Sequence, residues 1–283
     1  MRRFTATLFI FSLFFILVIP SAYPFGNGTD NQITVCKAHT SRWNDFIKGL
    51  KLSLREKGIE LLEAENCTRE ELSFNNETAS LESLLPSIPE ETEHIVPLVT
   101  GNNVAVIYRK RENLLAKVLI LELEKQGKKV VLDAGFQDSK SVSYKSLINN
   151  LLQLKKKKIN IDTLVFIGSY KEATLFVPFF RIFSPKPTVV GTWRISSVYM
   201  FSYRKFMKKL VFYDWYTPFE PLISERKFCL TYQKRYKEPP SRYAFLGYRL
   251  GLNIASQKKL AVKREYKLIK LKNLPRLAPF CRF

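Results

Sequence analysis

Between Asn103 and Thr192 the sequence alternates short apolar runs with helical stretches, and that alternation leaves few folds open. NVAVIY (Asn103 to Tyr108) feeds a stretch from Glu112 to Gly127 in which Leu115, Val118, Leu119 and Leu123 recur at helical spacing, and Gly127 sits where a helix stops. The unit then repeats. KVVLDAGF (Lys129 to Phe136) is a second strand, followed by a helix with Tyr144, Leu147, Ile148, Leu151 and Leu152 on one stripe and Lys155 to Lys158 at its end. DTLVFIGS (Asp162 to Ser169) is a third strand, Lys171 to Phe183 a third helix with Pro178 expected to kink it or start its last segment, and TVVGT (Thr188 to Thr192) a fourth strand. Strands that are apolar throughout, with helices between them, predict an α/β domain whose parallel sheet is covered on both faces.

The chain opens on Arg2 and Arg3, an apolar run from Phe4 to Ile19, and the small residues around Ala22. This is the pattern of a secretory signal peptide over residues 1–22, with an uncleaved signal serving as an anchor as the alternative. The expected location is therefore periplasmic or extracellular. No cysteine follows the run closely, so a lipid-anchored form is not supported. Composition is that of a folded domain, with 46% hydrophobic and 13% aromatic residues.

The formal net charge is +21 at neutral pH, which draws anions toward the surface. Lys155 to Lys158 offset a helix C-terminus, and Arg109, Lys110 and Arg111 follow a strand in what reads as a solvated turn, so a generally basic surface accounts for the excess. Nucleic acid is not an expected partner, because export removes it and no nucleic-acid motif is present.

Four blocks carry a resemblance: NNVAVIYRKRENLLAKVLILELEKQGKKVV, DTLVFIGSYKEATLFVPFFR, PTVVGTW, and FCLTYQKRYKEPPSRYAFLGYRLGLNIA, together spanning Asn102 to Ala255. They resemble the type 1 periplasmic binding proteins, the family of branched-chain amino-acid receptors of ABC transporters and of penicillin-binding-protein activators. The last block is similar to the family's Phe, Tyr, basic loop, Pro and Gly-Tyr-Asp-Ala helix, although Arg249 and Leu250 follow Tyr248 here. The resemblance implies two lobes with Rossmann-like parallel sheets. It divides the chain into residues 33–101 (first lobe), 102–209 (second lobe) and 210–283 (return to the first lobe and tail).

The first lobe starts with ITVCKA (Ile33 to Ala38), a helix from Ser41 to Gly58 with Ser41 as N-cap, and a strand from Ile59 to Glu65. Between Glu65 and Asn102 the family would spend several more strands and helices. Here only a helix near Ala79 to Leu85 and a strand at Ile95 to Val99 are expected, with Pro86 and Pro89 as breaks, so the first lobe is reduced. LVFYDWY (Leu210 to Tyr216) is expected to return to the first lobe, helices to cover Leu222 to Tyr236 and Arg242 to Ser256, and the lysine-flanked tail to form an edge strand. Phe219, Phe228, Tyr232, Tyr236 and Tyr243 are expected in the core or hinge.

By the resemblance, Tyr170 matches the second-lobe aromatic of the amino-acid receptors, while their acidic residue after the fourth strand is replaced near Trp193 and Arg194. An ammonium facing Arg194 with no carboxylate nearby would be repelled, which disfavours a free amino acid. An aromatic face beside a guanidinium suits peptides, sugars or anions, and packing of Trp193 at the hinge is the competing role. Ser169, Tyr170, Trp193 and Arg194, with His39 after the first strand, are the candidate ligand-binding residues at the C-terminal strand edge.

Cys36, Cys67, Cys229 and Cys281 form no metal spacing, and no metal or cofactor is expected. A Cys36–Cys67 bridge and free buried thiols are both compatible with the sequence. Asn27, Asn66 and Asn76 head glycan acceptor triplets that matter only in a eukaryotic secretory pathway. No nucleophile elbow or phosphate loop is present, His39 reads as a loop residue after the first strand and His94 falls in the shortened first-lobe segment, so catalysis is not expected. The function expected is binding of a small ligand, amino-acid-like, peptide or anionic, between the lobes, with an inner-membrane transporter or envelope protein as partner. The alternative is a scaffold or regulator of cell-envelope proteins that has lost its pocket.

Overall fold

The computed structural model describes residues 32–36, 40–65, 69–75, 77–137, 144–197, 200–203, 205, 207–215, 223–257, 259–262 and 264–270. The signal segment, His39, Cys67, Cys281, Phe219 and the three glycan-acceptor asparagines lie outside them. Among the described residues no helix is long and apolar enough to cross a membrane.

The continuous apolar strands do form a parallel sheet. β5 (Asn103–Arg109), β6 (Lys129–Phe136), β7 (Thr163–Ile167) and β8 (Thr188–Gly191) lie parallel, with α4 (Asn113–Lys125), α5 (Lys145–Lys156) and α6 (Tyr170–Phe183) as crossovers. Every residue of β7 is buried. Val104, Val106, Val165 and Val190 face Leu115, Leu119 and Leu123 of α4. Ala105, Ile107, Leu164 and Phe166 face Leu147 and Leu151 of α5 and Phe176 and Phe180 of α6. A sheet with two buried faces needs no polar alternation, and its inner strands β5 and β7 show none. Helix α6 runs unbroken through Pro178.

β9 (Leu210–Asp214) pairs in parallel with β8, and β10 (Lys267–Lys270) pairs antiparallel with β9, giving a six-stranded sheet in the order β10-β9-β8-β7-β5-β6. The expectation that Leu210 onward returns to the first lobe is corrected: the strand completes the second sheet, because Leu210 and Phe212 bury into its core beside Ile195 and Met207. The tail is the expected edge strand.

The smaller sheet is built from β1 (Gln32–Cys36), β2 (Glu60–Ala64), β3 (Glu71–Phe74) and β4 (Glu77–Ser80), in the order β2-β1-β3-β4, with β1 and β2 parallel and β3 and β4 a hairpin. α1 (Ser41–Arg55), α8 (Ile223–Tyr236) and α9 (Arg242–Gln257) supply its core: Trp43, Phe46 and Leu50 meet Phe228, Tyr232, Phe245 and Leu250 over Ile33, Val35, Leu72 and Phe74. In β3 only Leu72 and Phe74 are buried, while Glu71 and Ser73 are partly exposed, so this sheet is covered on one face. The reduced first lobe is thus half of a doubly wound layer.

Four local readings are corrected. The N-cap of α1 is Thr40, whose hydroxyl accepts from Trp43 N at 3.3 Å, not Ser41. Residues 71–80 form a hairpin, for which the period-2 series Leu72, Phe74 and the Asn75-Asn76 pair were available signals. Ile95–Val99 is not a strand but the end of α3 (Ile88–Ile95) and a 3-10 turn, Val96–Leu98. Pro89 starts α3 instead of breaking a segment, because Ser87 caps it and Glu90 closes a capping box. A short helix α2 (Leu81–Leu84) precedes it, and α7 (Met200–Tyr203) follows β8.

Cys36 and Cys229 are both disulfide-bonded, and no described cysteine is free. Alkylation of the unfolded, unreduced chain is therefore expected to label neither residue, and to label both after reduction; peptide mass mapping checks it.

Candidate functional site

All parallel strands of the larger sheet end at one edge, and two ion-pair groups stand there. The first lies after β5 and β7. Arg109, the last residue of β5, makes a bidentate pair with Glu172 on α6, with Nε at 3.0 Å from Oε1 and both side chains buried. Glu172 also accepts from Ser169 N at 2.7 Å and Ser169 Oγ at 2.9 Å, and so caps its own helix. The solvated turn expected at Arg109 is corrected: its partner comes from 63 residues downstream. Ser169 spends its hydroxyl on the cap. Tyr170, half-buried, packs on the core between the sheet and α6.

The second group follows β8. Arg194 bonds Glu91 of α3 through Nη1 and lies 3.2 Å from Glu112, which precedes α4, through Nε. The Arg194 side chain is 22% exposed, Glu112 18% and Glu91 1%, so Glu91 closes the inner side and Glu112 the outer. The premise that Arg194 stands without a carboxylate is thereby corrected. The acidic groups come from earlier in the chain, not from the residues after β8. Trp193 is 6% exposed and packs into the first-lobe core, 5.7 Å from the ring of Trp215. Two guanidiniums lie over its ring, Arg194 at 4.7 Å and Arg242 at 5.1 Å. Arg242 also donates to the carbonyls of Trp193 (3.0 Å), Arg194 (2.9 Å) and Ser196, which fixes the turn after β8 against α9.

Behind Trp193, a cavity of about 10 Å³ is bordered by Glu91, His94, Tyr213 and Tyr266. It has room for about one water and not for a solute. His94 meets Tyr266 in a tilted ring contact with centroids 3.9 Å apart. Sequence reasoning missed Glu91, Glu112, Glu172 and Arg242 as members of this edge; the S-x-x-E capping box from Ser169 to Glu172 was the one local signal.

Burial pushes the Glu91 carboxyl above its ordinary range, against the opposing charge and hydrogen bond of Arg194. A carboxyl raised on folding adds stability as pH falls through its folded pKa toward its unfolded value, and loses it as pH rises. Denaturant melts across mildly acidic pH are therefore expected to show wild type gaining on Glu91→Gln as pH falls. Glu90 behaves oppositely: burial alone would raise it, but Arg264 (3.0 and 2.8 Å) and Tyr266 (2.8 Å) outweigh burial and lower it.

No family model matches the sequence, and no curated protein matches it. Solved structures do. The chain is similar to a branched-chain amino acid ABC transporter protein from Rhodospirillum rubrum, at TM-score 0.58 and 11% identity, over 80% of this chain and 83% of that one. The fold is that of a type 1 periplasmic binding protein. An ABC transporter substrate-binding protein from Sphaerobacter thermophilus aligns at TM-score 0.56 and 11% identity, over 78% of each chain. A periplasmic ligand-binding protein of a branched-chain amino acid ABC transporter from Burkholderia xenovorans aligns at 0.54 and 11%, over 78% and 76%.

Proposed function

We propose that the protein is an exported, non-enzymatic solute-binding protein that closes its two lobes on a small ligand bearing both a cationic and an anionic or acceptor group. The observation that carries this reading is the pairing of Arg194 with Glu112 at the cleft edge. Nη1 and Nε of Arg194 are engaged, Nη2 has no partner among the described residues, and Glu112, 18% exposed, has its second oxygen 3.7 Å from Nε of the exposed Arg111. A ligand acceptor on Nη2 and a ligand ammonium beside Glu112 would both find charge complementarity, which an isolated arginine would not offer. Free amino acids therefore return to the expected range, in line with what the similar structures are named for. The N-terminal apolar run and the bridged Cys36 and Cys229 support export to an oxidising compartment. The partner in this reading is an inner-membrane transporter that reads the closed form.

A second reading rests on a separate observation: Ser169 and Trp193 are consumed by a helix cap and by the core. A protein that kept the fold and lost its pocket would instead be a scaffold or regulator of cell-envelope proteins.

Thermal-shift measurements against amino acids, dipeptides, sugars and small anions separate the two. Receptor binding raises the melting temperature by linkage, equivalent to about 2.7 kcal/mol at a hundredfold excess over Kd. Glu112→Gln is expected to abolish the rise for ligands with an ammonium. It is a better probe than Trp193→Ala, which would open the core, or Arg194→Ala, which would strand buried Glu91. A cooperative melt that no ligand class shifts would overturn the receptor in favour of the scaffold.

A further inference from the structure

At the opposite edge of the larger sheet, where its strands begin and α5 and α6 end, lies a pocket of about 640 Å³. That is within the ordinary range of small-ligand sites. Lys155 and Lys158 from the end of α5 and Lys186 from the loop before β8 line it, together with Leu151, Ile159 and Phe183. The three lysines are exposed, and none has a carboxylate in ion-pair range among the described residues. The one acidic lining residue, Asp162, is occupied: it accepts the backbone N–H groups of Asn102 and Asn103, both at 2.9 Å. The loop is held in shape from beneath, since Arg181 donates to the carbonyls of Pro187 and Lys208 (2.6 Å to Lys208) and Lys209 donates to Lys186 O at 2.8 Å. Lysines at helix ends offset the macrodipole. That role does not explain Lys186, which lies on no helix.

The outer stripe of α6 leads into this pocket. Leu175 is 66% and Ile182 76% exposed, seven residues apart on one face, and Phe179 beside them meets Phe183 in a tilted ring contact with centroids 4.9 Å apart. An exposed apolar stripe that ends in a cluster of unpaired lysines is the arrangement of a peripheral membrane contact. We propose that this pole of the second lobe docks on an anionic lipid surface, with Lys155, Lys158 and Lys186 around a phosphate headgroup and Ile182 and Phe183 at the acyl boundary. A free anion would not use the apolar stripe, and a second copy of a chain with net charge +21 would be repelled.

The test is co-sedimentation of the full chain with vesicles of phosphatidylcholine alone or mixed equally with phosphatidylglycerol. The N-terminal apolar run would enter both kinds alike, so the readout is the ratio of the two partition coefficients. Lysines near an anionic surface contribute enough that Lys155→Glu/Lys158→Glu/Lys186→Glu should lower this ratio about 100-fold. Lys57→Glu/Lys227→Glu/Lys234→Glu, the same charge change at exposed first-lobe positions, should keep most of it. Ile182→Ser should weaken binding to the mixed vesicles several-fold. Melting curves of both triple variants establish that they are folded. No lipid preference in wild type, equal loss in the two triple variants, or complete displacement by soluble glycerophosphate would each overturn the proposal, the last in favour of a free phosphate ligand.

Discussion

Gly247→Ala is expected to destabilise the protein by about 3 kcal/mol or more, the reverse of what this substitution does in an exposed helix, where alanine gains about 1 kcal/mol. The reason is the crossing of α1 and α9. A Cβ on Gly247 would lie 2.0 Å from the carbonyl oxygen of Phe46, and one on Gly49 would lie 1.8 Å from that of Ala244. Gly251, one turn along, would meet Ser53 Oγ at 1.9 Å. These three glycines let the helix backbones touch, and the contact closes the core that holds Trp43, Phe46, Phe245 and Tyr248. The atoms struck at Gly49 and Gly247 are backbone, so no rotamer change relieves the clash and the helices must separate. For a chain of this size the loss corresponds to a fall of roughly 10 °C in Tm. Two comparisons sharpen the result. Gly58→Ala meets nothing within 4 Å but sits at φ +67, so only the backbone cost of about 1 kcal/mol should appear. Ser53→Ala should recover part of the stability lost in Gly251→Ala, because there the obstacle is a side chain, whereas no such rescue should exist for Gly247→Ala. A neutral or stabilising Gly247→Ala would mean that the helices do not cross at this separation.

The same crossing shows what the sequence could and could not disclose. GYRLG was read through its likeness to a family signature; its physical content, two glycines one turn apart on the face toward α1, needs the partner helix to become visible. The second lobe was legible because the strands β5 to β8 are apolar over most of their length and β5, β6 and β7 are each followed by a helical stripe, so period and length agree. The region from 66 to 101 was not, since a proline reads alike in sequence whether it breaks a segment or, as Pro89 does, starts a helix, and since the hairpin β3–β4 is short. Arg194 follows β8 at the C-terminal strand edge, and the carboxylates that neutralise it are not adjacent in sequence. Its carboxylate on α3 lies 103 residues earlier, and no local pattern links the two. Arg109 failed for the same reason. Charged side chains near a strand end look solvated in sequence, and only the fold decides whether an opposite charge meets them.

That pair carries the second large effect. Arg109→Leu is expected to cost about 3 to 5 kcal/mol, because it leaves Glu172 buried with its charge opposed only by the Ser169 donors and the N-terminus of α6. The Arg109 and Glu172 side chains are 8% and 9% exposed, so water cannot replace the lost guanidinium. Glu172→Gln in the Arg109→Leu background should then restore part of the loss, since an amide needs no counterion and its oxygen still accepts from Ser169 N, now 2.7 Å from the carboxylate. In the wild-type background the same Glu172→Gln should be destabilising, for it strands the arginine. The opposite signs of one substitution in two backgrounds, read from denaturant midpoints, measure the coupling directly. Tyr144 reports on the same site. Burial and then the charge of Glu172 push its hydroxyl up to about 12, so Glu172→Gln should bring the phenol titration down, as followed by ultraviolet difference absorbance. If Glu172→Gln were equally damaging with and without Arg109, the glutamate would act as a helix cap alone, and the ion pair at the cleft edge would contribute nothing to the second lobe.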